Sequence, residues 1–239
     1  SGVLPWGVKG ALKTIDVESL KPGDVIMHND PFIGGTHLPD IIIFAPIFYD
    51  GQLVAFVGNL AHHVDVGGKV PGSLTPDATE IFHEGIRFSP VKIRKEGVLD
   101  QELLRLHRMN VRTPYESSGD LMAQIAANNV GEKRFMELCD EMGADEVLEA
   151  VRELEKYCQR RMAAELAKLP AGEYEFTDYL EGDGVTTEEP LKIQVKIQAG
   201  GPQLKVDFTG TCPQVKGPLN CVRPMALACI YYVIRAVTD

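Results

Sequence analysis

The run DIIIFAPIFYDGQLVAFVGNLAHH, residues 40–63, decides how the N-terminal half of this chain folds. Two apolar segments rich in Ile, Val and Phe, 41–48 and 53–60, flank Asp50-Gly51. β-Branched and aromatic side chains suit a pleated strand, and Asp-Gly accepts the left-handed backbone of a tight turn, so the pattern predicts a β-hairpin. A polar cluster, HNDPFIGGTHLPD (28–40), leads into the hairpin, and a second, AHHVDVGG (61–68), follows it. Pairing the two strands brings these clusters together at the open end.

Register then decides which imidazole meets which carboxylate. A two-residue turn at Asp50-Gly51 sets Asp40 opposite Ala61, on the same face as His63. A three-residue loop, Tyr49-Asp50-Gly51, sets Asp40 on the face of His62. In both cases one imidazole and one carboxylate converge. His37, three residues before Asp40 on a loop containing Gly34-Gly35, can fold back onto the same point.

A His, Asp, His set suits a borderline divalent ion such as zinc or manganese, which activates water or polarises a carbonyl oxygen. Asp30 and Asp65 are placed to orient the imidazoles as outer partners. His63 and Asp65 are the candidates for catalytic proton transfer, and a general base at His62 or His63 without metal is the alternative. The structural alternative is that these histidines simply bond backbone groups in a polar loop. Glu84, Arg87, Asn110 and Arg112 could bind an anionic substrate, but loop-pinning is the favoured role for each. Cys212 and Cys221 flank a Gly/Pro loop with no neighbouring base to activate them.

The bulk numbers narrow the class. With 239 residues, 44% hydrophobic and 24% charged, the chain can bury a core. A net charge of −10 with no basic stripe argues against nucleic-acid binding. No apolar run reaches the length of a membrane helix, because Pro46 and Asp50-Gly51 interrupt the longest one. SGVLPWGVKG shows neither an apolar core nor a cleavage pattern, which predicts a cytoplasmic protein without a secretory leader. Five cysteines without a CxxC pair read as scattered thiols, in keeping with that compartment. There is no glycine-rich phosphate loop, so any ATP is bound elsewhere.

Downstream, VIMH and PVKIRKEGVL read as strands and 101–109 as a short helix. From about Asp120 apolar residues recur at helical spacing, predicting two long helices joined at Met142-Gly143. Val147, Val151, Leu154, Cys158, Met162 and Leu166 form one stripe, read as core. EYEFTDYLEGD, LKIQVKIQ and QLKVDFTG alternate as strands, and MALACIYYVIRAV is a closing helix. The expected fold is α+β, mixed, with an N-terminal hairpin region, two long central helices and a C-terminal antiparallel sheet plus helix. The corresponding segments are 1–115 for the metal site, 116–170 for the helices and 171–239 for the sheet.

The stretches NDPFIGGTHLPDI, NLAHHVDVGG, EIFHEGIRFSPVKI, NVRTPYESSGDLMAQIAAN and VDFTGTCPQVKGPLNC, in that order, resemble the hydantoinase B/5-oxoprolinase family. That family includes the B-type subunits of N-methylhydantoinases, caprolactamase and acetone or acetophenone carboxylases. The resemblance implies an ATP-dependent complex in which a hydantoinase A-type ATPase subunit binds ATP and activates a carbonyl or amide oxygen. The B-type part then acts on the activated species at a metal site. It implies His37, Asp40 and His62 as metal ligands, a choice that agrees with the three-residue loop. Hydrolysis of a cyclic amide is the first expectation; a ketone carboxylase subunit and a non-catalytic scaffold docking the ATPase are the alternatives. The resemblance further implies an upstream segment with another acidic ligand and a continuation past Asp239, so this chain is expected to be part of a longer or split subunit.

Overall fold

A computed structural model describes residues 2–186 and 189–238. The fold is mixed α+β with two antiparallel sheets, and the chain divides into two compact units.

The first unit comprises Ser1–Thr75, Glu80–Val147 and Cys221–Cys229. Its elements in chain order are α1 (Leu4–Ala11), β1 (Val25–His28), β2 (Asp40–Tyr49), β3 (Gln52–His62), β4 (Val91–Lys95), β5 (Val98–Leu99), α2 (Gln101–Asn110) and the long α3 (Pro114–Met142). The strands form one sheet in the order β3-β2-β1-β4-β5. Ile41, Ile43 and Ala45 point to one face, where Met27, Ile93, Leu104 of α2 and Leu121 and Ile125 of α3 pack on them. Ile42 and Phe44 point to the other, against Ala11 of α1 and Leu20. Both faces are covered, which is why 41–47 is continuously apolar instead of alternating. Pro46 is tolerated because β1 pairs only with Ile42, Ile43 and Phe44, so no ladder donor is needed from position 46 on that side.

The hairpin turn corrects the expectation of a three-residue loop. Tyr49 pairs with Gln52, so the turn is the tight one, with Asp50 at φ 49° and Gly51 at φ 77°, both left-handed. The register then shifts between Ile47 and Phe48, because Phe48 pairs with Leu53 while Ile47 pairs with Ala55. Val54 is the extra residue of a β-bulge. One inserted residue reverses the facing of everything beyond it, and the open end arrives with Asp40 directly opposite His62. The three-residue loop gave the same facing, Asp40 with His62, but neither simple register set the two directly opposite.

The second unit comprises Pro76–Thr79, Leu148–Asn220 and Ile230–Asp239. Two helices are shared between the units' ranges, α4 (Ala144–Leu166) and α5 (Arg223–Val237). Its sheet has the order β6-β7-β8, with β6 Gly172–Leu180, β7 Leu191–Ala199 and β8 Lys205–Asp207. The α3–α4 joint falls at Gly143, whose φ of 92° ends the helix. The apolar stripe of α4 is not core along its length: Val147 and Leu166 are buried, but Val151 and Leu154 are 52% and 60% exposed. Helical periodicity shows that a stripe exists; it carries no information about what covers it. Among the described residues, no helix is long and apolar enough to cross a membrane.

Candidate metal centre

Three side chains meet at the open end of the β2–β3 hairpin. His37 Nδ1 lies 3.1 Å from Asp40 Oδ2, and His62 Nδ1 lies 3.2 Å from Asp40 Oδ1. The two imidazole rings are 5.0 Å apart, centre to centre. One donor atom from each of the three falls within 4.8 Å of the others.

The local sequence explains the arrangement. In His37-Leu38-Pro39-Asp40, Leu38 is fully buried in the core, and Asp40 N donates to His37 O. That turn projects the first and fourth side chains to the same side. Pro39 O accepts from His63 N at 2.8 Å, which ties this loop to the end of β3. Upstream, Asp30 caps the short helical turn Pro31–Ile33 by accepting from Phe32 N. Gly34 has φ 125° and sits so close to Trp6 that a Cβ would strike the Trp6 carbonyl oxygen. Glycine is therefore required where the loop passes beneath α1.

Burial pushes the Asp40 carboxyl up, but hydrogen bonds from His37, Thr36 and His62 outweigh it and hold the group below the usual carboxylate range. The cluster thus presents an anionic oxygen and two imidazoles, half-buried and open on the His62 side. Ligand atoms 2.0–2.1 Å from a tetrahedral zinc sit about 3.4 Å apart; each imidazole lies near that separation from one Asp40 oxygen, His37 from Oδ2 and His62 from Oδ1. The residues fit zinc or manganese by donor type as well. An ion held by these three donors alone would keep at least one position open for water or substrate.

The remaining candidates take other partners. His63 is completely buried, with Nδ1 3.2 Å from Ser117 Oγ and Nε2 2.9 Å from Gln124 Oε1, and burial lowers its pKa. Asp65 is also buried and accepts from Gly67 N, Gly72 N, Arg112 N and the Arg112 guanidinium. Those bonds hold its carboxyl low despite burial, which pushes the other way. Arg112 donates further to the carbonyls of Gly67, Gly68 and Val70, so the pair shapes the 65–72 loop. Asp30 faces Arg87, 3.8 Å away, and Asn110 bonds its own helix. Among the described residues, Asp30 and Asp65 bond to backbone amides and arginines and not to His37 or His62. Glu84 does lie within electrostatic reach of His37, and burial raises its pKa.

Two contributors were not singled out from sequence. Thr36 donates to Asp40. Asn29, fully buried, donates to Leu38 O and Ile86 O and accepts from Phe88 N, stitching the His37 loop to the 86–88 segment. Thr36 adjoins the motif and could have been noticed. The partners of Asn29 near residue 87 leave no trace in local spacing.

The whole chain, residues 1–239, matches the Hydantoinase B/oxoprolinase family. It belongs to that family. An uncharacterized protein of Methanocaldococcus jannaschii is 39% identical over 240 residues, covering 100% of this chain and 42% of that protein. Caprolactamase subunit beta of Pseudomonas jessenii is 36% identical, covering 90% of this chain and 36% of that subunit. The crystal structure of the ATP-dependent caprolactamase from that organism superposes with a TM-score of 0.89 at 33% identity, over 97% of this chain and 39% of the other. The nucleotide-free structure of an acetone carboxylase gives a TM-score of 0.88 at 20% identity, over 99% and 34%, a likeness of fold alone. This member of the Hydantoinase B/oxoprolinase family thus spans well under half the length of the relatives it matches.

Proposed function

We propose that this chain is the metal-bearing part of a hydantoinase/oxoprolinase-type hydrolase acting on cyclic amides. The observation that carries this reading is the convergence of His37, Asp40 and His62 in a chain of this family. In the proposal these three residues hold one zinc or manganese ion. A divalent ion there supplies Lewis-acid polarisation of a carbonyl oxygen or activation of a water. Asp40 contributes the negative charge, Thr36 and His37 keep it ionised, and Asn29 holds the loop that carries them. Asp65 and Arg112 shape the neighbouring loop, and His63 anchors the end of β3 from beneath. Glu84 adds a carboxyl beside His37 that burial keeps more protonated than usual.

The related caprolactamase is described as ATP-dependent, and its relative here is a subunit beta. This supports a requirement for ATP and for a companion subunit, in our reading an A-type ATPase that binds the nucleotide. The test is to co-express the chain with a hydantoinase A-type subunit and measure metal content and cyclic-amide-dependent ADP release. Stoichiometric zinc or manganese, lost in Asp40→Asn together with ADP release, is the expected result. ATP consumption that requires a ketone and bicarbonate would replace the hydrolase with a carboxylase. Absence of metal from the intact complex would leave only a scaffold role.

A further inference from the structure

We propose that Ser117 and Gln124 of α3 are positioning residues for the metal centre, locking His63 as its Nε2–H tautomer and thereby fixing the strand end that carries His62. The inference rests on the metal reading above. Its basis is a chain of buried side chains whose hydrogen-bond directions are determined at one end.

Gln124 Nε2 donates to the carbonyl of Ile41 and to Asn59 Oδ1. A backbone carbonyl can only accept, so the Gln124 amide has a single permitted orientation, and its Oε1 must face His63. Two further amides are oriented the same way: Asn59 Nδ2 donates to Gln124 O, and Asn128 Nδ2 donates to Ile43 O. His63 Nε2 must therefore carry a proton to donate to Gln124 Oε1, 2.9 Å away. The ring is completely buried and its two hydrogen-bond partners, Ser117 and Gln124, are uncharged, so it is held neutral with Nδ1 bare. Ser117 has one hydroxyl proton, and it goes to that bare Nδ1 at 3.2 Å. Ser117 Oγ then accepts from His107 Nε2 at 2.8 Å. His107 is consequently also an Nε2–H tautomer, with a bare Nδ1 that has no partner among the described residues.

The order runs from His107 through Ser117 and His63 to Gln124, with every proton assigned. Its mechanical consequence lies at the site. His63 N donates to Pro39 O, while the next residue back, His62, faces Asp40. Fixing His63 from beneath thus holds both halves of the ligand set, the His62 strand end and the His37–Asp40 loop.

The experiment uses the intact protein labelled with 15N-histidine, and the parent is compared with Ser117→Ala, His63→Leu and His63→Gln. Imidazole nitrogen shifts read the tautomers, titration with cobalt(II) reads the metal site, and the amide spectrum of each variant reports folding. Expected are pyrrole-type Nε2 and pyridine-type Nδ1 for both His63 and His107. Cobalt(II) affinity should fall about ten-fold in Ser117→Ala and His63→Leu, the low end for an outer partner of a metal site. His63→Gln, which keeps an N–H facing Gln124, should retain most of it. Protonated Nδ1 nitrogens would overturn the proton order. Correct tautomers with unchanged cobalt(II) affinity in His63→Leu would overturn the positioning role. If the parent binds no cobalt(II), the metal reading falls and the positioning role with it, while the nitrogen shifts still decide the tautomers.

Discussion

The two sheets of this protein are built from equally convincing strand sequences and end in opposite environments. Within β2, Ile41, Ile42, Ile43, Phe44, Ala45 and Ile47 are all at 2% exposure or less. β6 carries Tyr174, Phe176 and Tyr179 at 47, 66 and 58% exposure. Both strands pair along their length with one neighbour, β2 with β3 and the edge strand β6 with β7, and β2 pairs over three further residues with β1. Backbone pairing is therefore common to the two sheets, and side-chain burial separates them. α1 covers one face of the first sheet and α2 and α3 the other, so its strands contribute packing energy from both sides.

The largest test of this contrast is a matched pair of truncations. Phe44→Ala removes a fully buried ring and is expected to destabilise the first unit by about 3–5 kcal/mol. Phe176→Ala, on an exposed ring, should stay within about 1 kcal/mol. Denaturant midpoints measured by probes in each unit read the difference; equal shifts would break the comparison.

Acid should discriminate nearly as strongly. All six histidines lie in the first unit's ranges. His28 and His107 are buried, and burial lowers each from 6.5 to about 4. Above pH 6.5 both folded and unfolded forms are neutral and nothing is lost. Between pH 6.5 and 4 the unfolded chain takes up protons that the folded chain refuses, so stability falls by up to about 3 kcal/mol per histidine. Hydrogen exchange should show the first unit loosening before β6–β8 as pH drops through that window, and His28→Leu should flatten the slope. A pH-independent first unit would contradict the buried-imidazole account.

At the proposed metal site, Asp40→Asn should lower divalent-metal affinity by about 100-fold or more, because the anionic donor of the His37–Asp40–His62 cluster is gone. Isothermal titration checks this. The fold should persist, since Asp40 lies at the hairpin's open end and the core is elsewhere. The smallest expected effect is on the exposed α4 surface. Arg152→Ala breaks an i,i+3 pair with Glu149 and should cost about 0.5 kcal/mol or less. A larger loss in the assembled complex than in the isolated chain would show that the charged face of α4 around Arg152 lies in an interface.

Much of the fold was legible because it rests on local chemistry. Asp50-Gly51 turns the chain wherever its strands go, since the left-handed backbone is a property of those two residues. Gly143 separates two helices for the same reason. The α4 stripe was legible as a helix and misleading as core, because periodicity belongs to the helix and burial belongs to its neighbours. At the candidate site, the concentration of His37, Asp40, His62 and His63 around one hairpin was visible from composition and spacing. Which imidazole faces Asp40 was not. From the residues alone that question turned on the loop length, and the answer came from a bulge at Val54 that no residue type announces.

The sequence by itself determined the hairpin, the helix pair, the strand segments and the polar clusters at the hairpin's open end. Each depends on torsional preferences or on side-chain periods of two and 3.6, which are encoded within a few residues. The tertiary structure alone decided the facing of His62 and His63, the capture of His63 by Ser117 and Gln124, and the use of Asp65 to bind Arg112. Those outcomes depend on a one-residue shift in pairing and on partners about 50 to 60 positions away. Side-chain facing reverses with each residue of register, so local chemistry could bring the donors to one place, but only the packed fold could select among them.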